Sequence, residues 1–107
     1  MAKYQCKKQY EEEVSSALDD FDMTLDNLVI IDDTKLWEQP DLVKETRAQN
    51  PKAAIMVFSP DYSFSEARDC MMDGADAYLQ KSTDPVLIRN LVRDVLSVRR
   101  KLNGAST

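Results

Sequence analysis

Three apolar runs of this chain each end on a side chain with usable chemistry. "NLVIID" closes on Asp32, with Asp33 behind it. "AAIMVFS" closes on Ser59, followed by Pro60 and Asp61, and "GADAYLQKS" closes on Lys81 and Ser82. A carboxylate is a nucleophile toward a phosphoryl group and forms an aspartyl phosphate. An ammonium neutralises phosphoryl oxygens, and a hydroxyl hydrogen-bonds one of them. Each residue also has a plainer reading. Asp32 can be a solvated strand end or a helix cap, Ser59 can bond to backbone before Pro60, and Lys81 can pair with a carboxylate at the surface. Asp33 is a solvated loop acid or, with Asp32, a metal ligand.

Other chemistries are closed. The chain has no histidine, which removes Ser-His-Asp and Cys-His catalysis, histidine metal sites and histidine acid–base work. Two glycines are too few for a glycine-rich phosphate loop. Cys6 and Cys70 form no CxxC pair and read as reduced thiols. No enzymatic activity is expected. A net charge of −5 argues against nucleic acid as a partner. No apolar run approaches a membrane span, and "MAKYQCKKQYEEE" lacks a signal-peptide core, so a cytoplasmic protein without membrane attachment is expected.

The elements that would position these residues follow from apolar spacing. Residues 1–107 suit one domain, with a core over about 4–102 and a mobile tail at 103–107. Tyr10, Val14, Ala17, Leu18 and Phe21 recur at offsets of 4, 7, 8 and 11, one face of a helix. "NLVIID" and "AAIMVFS" are continuous apolar runs, as in strands buried on both faces of a parallel sheet. "QPDLVKETRAQNP" is a helix bracketed by prolines. In "SFSEARDCMMDG", Ser63 and Glu66 make a capping box and Gly74 stops the helix. "ADAYL" is a further strand, and Asp84 with Pro85 opens a last helix. "KYQCKKQ" makes a short strand with Tyr4 and Cys6 on one face. "DDTKLWEQP" reads as a polar loop, in which Trp37 is either an exposed anchor for a partner or a cover for the core edge. Strands alternating with helices make an α/β parallel sheet with helices on both faces, and in such sheets ligands sit at the strands' carboxyl ends.

In order and spacing these segments resemble the receiver domains of two-component response regulators, a flavodoxin-like fold. "NLVIID" looks like the family strand that ends on the phospho-accepting aspartate. "AAIMVFS" is similar to the next strand, which ends on Ser or Thr. "GADAYLQKS" looks like the family's Gly-Ala-x-x-Tyr-Leu-x-Lys-Pro signature, and the 22 residues from Ser59 to Lys81 match the family's spacing. The resemblance implies Asp32 as phospho-acceptor, Ser59 and Lys81 as its phosphate partners, and Tyr78 as the switch aromatic. It implies Mg²⁺ where phosphorylation proceeds, and a histidine kinase or a downstream effector as partner. Last-helix surfaces are common dimer contacts in the family. Here that surface would comprise Arg89, Arg93 and Arg100 with Val95, Val98 and Leu102.

The departures shape the expected function. A full receiver opens with a strand ending in two acids, then a helix. Read this way, "KYQCKKQ" aligns with the family's second strand, and the first strand, its helix and its acid pair are absent. Those acids help hold Mg²⁺, which demands an octahedral oxygen site. "DDTKLWEQP" lacks the family's Pro and Gly, Pro60 follows Ser59, and Ser82 replaces the signature proline. The expectation is a pseudo-receiver: a signalling module acting through protein contacts, with Asp32 a vestigial or conditional acceptor. Alternatives are a phosphorylation-competent receiver with a metal site rebuilt around Asp32 and Asp33, or a small-molecule-binding α/β protein using the strand-end cleft. A homodimer is expected, because the absent strand would leave "NLVIID" with an unpaired edge.

Overall fold

The computed structural model describes residues 2–6, 8–18 and 28–104. Four strands, β1 (Ala2–Gln5), β2 (Leu28–Asp32), β3 (Ala54–Ser59) and β4 (Ala77–Gln80), form one sheet in the order β1-β2-β3-β4, every pairing parallel. The helices are α1 (Lys8–Ala17), α2 (Thr34–Glu38), α3 (Leu42–Gln49), α4 (Phe64–Asp73) and α5 (Pro85–Gly104). Every residue of β2 and β3 is buried, as their unbroken apolar runs require of strands covered on both faces. Strand alternation sorts these side chains into two cores. Leu28, Ile30, Met56 and Phe58 meet Tyr10 and Val14 of α1 and Ile88, Val92 and Leu96 of α5. Val29, Ile31, Ile55 and Val57 meet Leu42 and Val43 of α3 and Ala67 and Cys70 of α4.

One placement departs from the sequence reading. β1 lies directly beside β2, with Lys3 opposite Val29 and Tyr4 opposite Ile30. It fills the position that the resemblance leaves empty, that of the family's first strand, and α1 after it packs on α5. The edge of β2 is therefore paired within the chain. None of the described residues forms a strand beyond β1. Tyr4 and Cys6 pack against the α1–α5 core as expected, while Lys3 and Gln5 are exposed. Four residues, half of them polar, hold too little pattern to announce a position inside the sheet; only pairing reveals it.

The local signals act mostly as read. Asp84 Oδ1 accepts the Val86 N–H at 3.0 Å at the start of α5. Gly74 closes α4 at φ 117°, its N–H reaching Cys70 and Met71 carbonyls. The capping box at α4 is half formed: Ser63 Oγ accepts from the Glu66 N–H, but the Glu66 carboxylate turns elsewhere. α2 stands where a polar loop was expected. The tail expectation fails at residues 103 and 104, which continue α5, where Asn103 Nδ2 donates to the Lys52 carbonyl at 2.8 Å. Residues 105–107, and Phe21, lie outside the described residues.

A cation sets the sheet's amino end. Arg47 of α3 donates to the Gly74, Asn50 and Ala53 carbonyls at 3.0, 3.1 and 2.7 Å and pairs with Asp76 at 2.9 Å. Asp76 also accepts the Ile55 N–H at 2.9 Å and pairs with Arg99 of α5 at 3.2 Å. One guanidinium thereby ties α3 to the turns that feed β3 and β4. No helix among the described residues is long and apolar enough to cross a membrane.

Candidate functional site

The sheet's carboxyl end gathers the side chains on which the three apolar runs close. Asp32, the last residue of β2, is 1% exposed. Its Oδ2 receives Lys81 Nζ at 2.6 Å, and its Oδ1 accepts from Thr34 N and Thr34 Oγ1, both at 3.0 Å. Lys81 follows β4 and its ammonium also sits 4.5 Å from the centroid of the Tyr10 ring, a cation–π contact. Burial alone would raise the Asp32 pKa. The Lys81 bond and the two from Thr34 outweigh it and hold the carboxyl below its ordinary value. Asp32 is thus ionised and supplied with three donors.

Ser59 serves a different acid. Its Oγ lies 2.9 Å from Asp33 Oδ2 and 2.7 Å from the Asp61 carbonyl, and accepts the Asp61 N–H at 3.2 Å. A hydroxyl has one proton, so it donates to one of these two oxygens at a time. Asp33 is 3% exposed, not a solvated loop acid, and its Oδ1 has no hydrogen-bond partner. Burial first, then the adjoining Glu66 carboxyl, push its pKa up to about 6, against the lowering effect of Ser59. Tyr78 is buried with its ring edge-on to Tyr62 at 5.2 Å, and its hydroxyl donates to Glu66 Oε2 at 2.9 Å. The expected constellation is therefore two: Asp32 with Lys81, Thr34 and Tyr10, and Asp33 with Ser59, Glu66 and Tyr78. Thr34, Tyr10 and Glu66 are not singled out for the site by sequence. The Thr34 signal is the D-D-T run itself, since a hydroxyl two residues after an acid can turn back to it.

Cys6 stands just past β1, where the resemblance would put the acid pair. Burial, then Asp32 and Glu11, raise its pKa to about 11, so it remains a neutral thiol. Mg²⁺ takes hard oxygen ligands in octahedral array. Among the described residues no three His, Cys, Asp or Glu side chains converge on a possible metal position. Asp32 and Asp33, the metal ligands expected from sequence, take separate partners. The described residues do not fit Mg²⁺.

The α5 surface divides. Arg89 turns inward, its Nε donating to the Ala17 carbonyl at 3.2 Å, and Val95 packs on the α1–α5 core. These two are half-buried. Arg93, Val98, Arg100 and Leu102 are exposed.

No protein-family model matches this chain, and no curated protein matches it. Among solved structures it is similar to two crystal structures of NtrX from Brucella abortus, one of them in complex with ADP. The TM-scores are 0.77 for the ADP complex and 0.78 for the other, each at 14% sequence identity. Each comparison covers 98% of this chain but only 28% and 29% of the NtrX chains, respectively, so this chain spans less than a third of their length. That likeness shows the fold: an α/β, receiver-like parallel sheet with helices on both faces.

Proposed function

We propose that this chain is a two-component-type signalling module that works through protein contacts in the cytoplasm, with Asp32 a conditional acceptor that its own lysine holds closed. One observation supports this above the others. The Asp32 carboxylate is already neutralised by Lys81 at 2.6 Å, and a neutral thiol stands where a metal-holding acid would be needed. Phosphoryl transfer to Asp32 would form a bond from its oxygen to phosphorus as the bond to the donor breaks, P–N in a phosphohistidine and P–O in acetyl phosphate. The incoming oxygens bring negative charge that Lys81 must offset, while Asp32 loses that same partner. Partners in this reading are a histidine kinase or an effector, and a second copy of the chain.

Incubation with acetyl phosphate and Mg²⁺, followed by intact-mass measurement, tests the reading. The expected spectrum is that of the unmodified chain. Stoichiometric phosphorylation that disappears in Asp32→Asn would establish a competent receiver instead.

A further inference from the structure

A second concavity lies beside the strand-end site, between α2, α3 and α4, with a volume of about 170 Å³. Leu36, Trp37, Pro40 and Val43 make one apolar wall. α4 supplies the opposite wall with Glu66, Asp69 and Asp73, at i, i+3 and i+7 on one helix face, and Asp33 lines the groove as well. No lysine or arginine lines it. Arg68 approaches Asp69 at 3.7 Å, but both side chains are well exposed and such a pair is weak.

Asp33 gives this acidic wall its meaning. Its Oδ1 is buried and has no donor, although Ser59 satisfies Oδ2. A buried carboxylate oxygen without a donor is costly, and the neighbouring Glu66 carboxyl, which gives Oε2 to Tyr78, makes it worse. What the groove lacks is a cation with hydrogen-bond donors. A metal ion does not fit, because no three ligating groups converge among the described residues and one wall is apolar. The volume is below the 300–1,000 Å³ or so of small-molecule sites and suits a single side chain. A planar guanidinium can present parallel donors to two carboxyls, rest its stem on apolar surface and stack on an indole, which an ammonium does less well. Trp37, 72% exposed at this groove, offers that indole.

We infer that the α2–α3–α4 groove is a docking site for an arginine side chain of a partner protein, received by Asp33 Oδ1 and Glu66 and covered by Trp37. The inference is independent of whether Asp32 accepts a phosphoryl group, and the acid wall complements the basic partner that a chain of net charge −5 attracts.

Trp37 is the chain's only tryptophan, so its fluorescence reports on the groove. The full chain is titrated with acetyl-leucyl-arginine amide up to millimolar concentration, and in parallel with the citrulline analogue, a neutral match in shape. Saturable change is expected with arginine, weakened at least about tenfold with citrulline and in Asp33→Asn. The double variant Asp69→Asn/Asp73→Asn, which leaves the buried acid untouched, is expected to weaken binding by several-fold and to keep the fold. Equal responses to arginine and citrulline, no saturable response, or an unchanged double variant would overturn the inference. So would Mg²⁺ alone reproducing the change, which assigns a metal, or a change on concentrating the chain without probe, which assigns a second copy.

Discussion

Asp32 and Asp33 are adjacent, both buried, and shifted in opposite directions by their partners. Asp32, lowered by Lys81 and Thr34 despite its burial, contributes stability above the ordinary carboxylate range that is lost as pH falls below it. Asp33 works in reverse. Its folded pKa is raised from 3.8 to about 6, so the folded state holds a proton that the unfolded chain releases. Its contribution is full below 3.8 and is lost as pH rises through about 6. Asp33→Asn removes the ionisation while keeping an acceptor for Ser59. We expect this variant to abolish the decline over that window and to be more stable than the wild type at pH 7, by on the order of 1 kcal/mol. Urea unfolding at a series of pH values measures it, and a variant less stable at pH 7 than at pH 4 by the wild-type margin would refute the assignment. The meeting of Asp32 with Lys81 was legible in sequence, because consecutive parallel strands deliver their last residues to one end. The Ser59 partner was not. Which of two successive acids turns inward after a strand depends on α2, a five-residue helix too short to show a period.

At the scale of elements, the strands were legible wherever the run was continuous and apolar, and the helices wherever the period held or a cap marked the boundary. β1 was visible as a strand but misplaced, since its position rests on pairing with β2 and not on its own residues. Arg47 escaped notice because its partners are backbone carbonyls, which no side-chain pattern advertises. Its removal should be felt widely. Arg47→Met leaves the Gly74, Asn50, Pro51 and Ala53 carbonyls without this donor and Asp76 with only Arg99 and the Ile55 N–H. We expect a loss of about 3 kcal/mol, seen as a lower urea midpoint with an unchanged slope. Gly74→Ala should also destabilise, because the backbone there is at φ 117° and a Cβ would lie 2.7 Å from Arg47 Cγ. Methionine keeps the Cβ and Cγ that the added methyl would meet, so the cost of Gly74→Ala should be about the same in Arg47→Met. A cost that shrinks there would show that the guanidinium, and not this contact or the backbone angle, constrains Gly74.

For the whole molecule, the paired β2 edge withdraws the main reason for expecting a dimer. Among the described residues the free edge is that of β1, four residues long with Lys3 exposed, a form that discourages strand addition. A homodimer proposal rests instead on α5, where Val98 and Leu102 are exposed beside Arg93 and Arg100. Light scattering across a dilution series should find dimers in the wild type and monomers in Val98→Glu/Leu102→Glu, with the far-UV circular dichroism of the fold unchanged. A wild-type chain monomeric throughout removes this contact. We propose that the strand-end site is closed by the Lys81–Asp32 salt bridge and is not built to bind a phosphoryl group with Mg²⁺. Beryllofluoride mimics that group without needing a donor, so its addition with Mg²⁺, followed by amide NMR, tests the claim most directly. The amides of Asp32, Asp33, Ser59 and Lys81 are predicted to keep their positions. Saturable shifts at those amides, lost in Asp32→Asn, would contradict it.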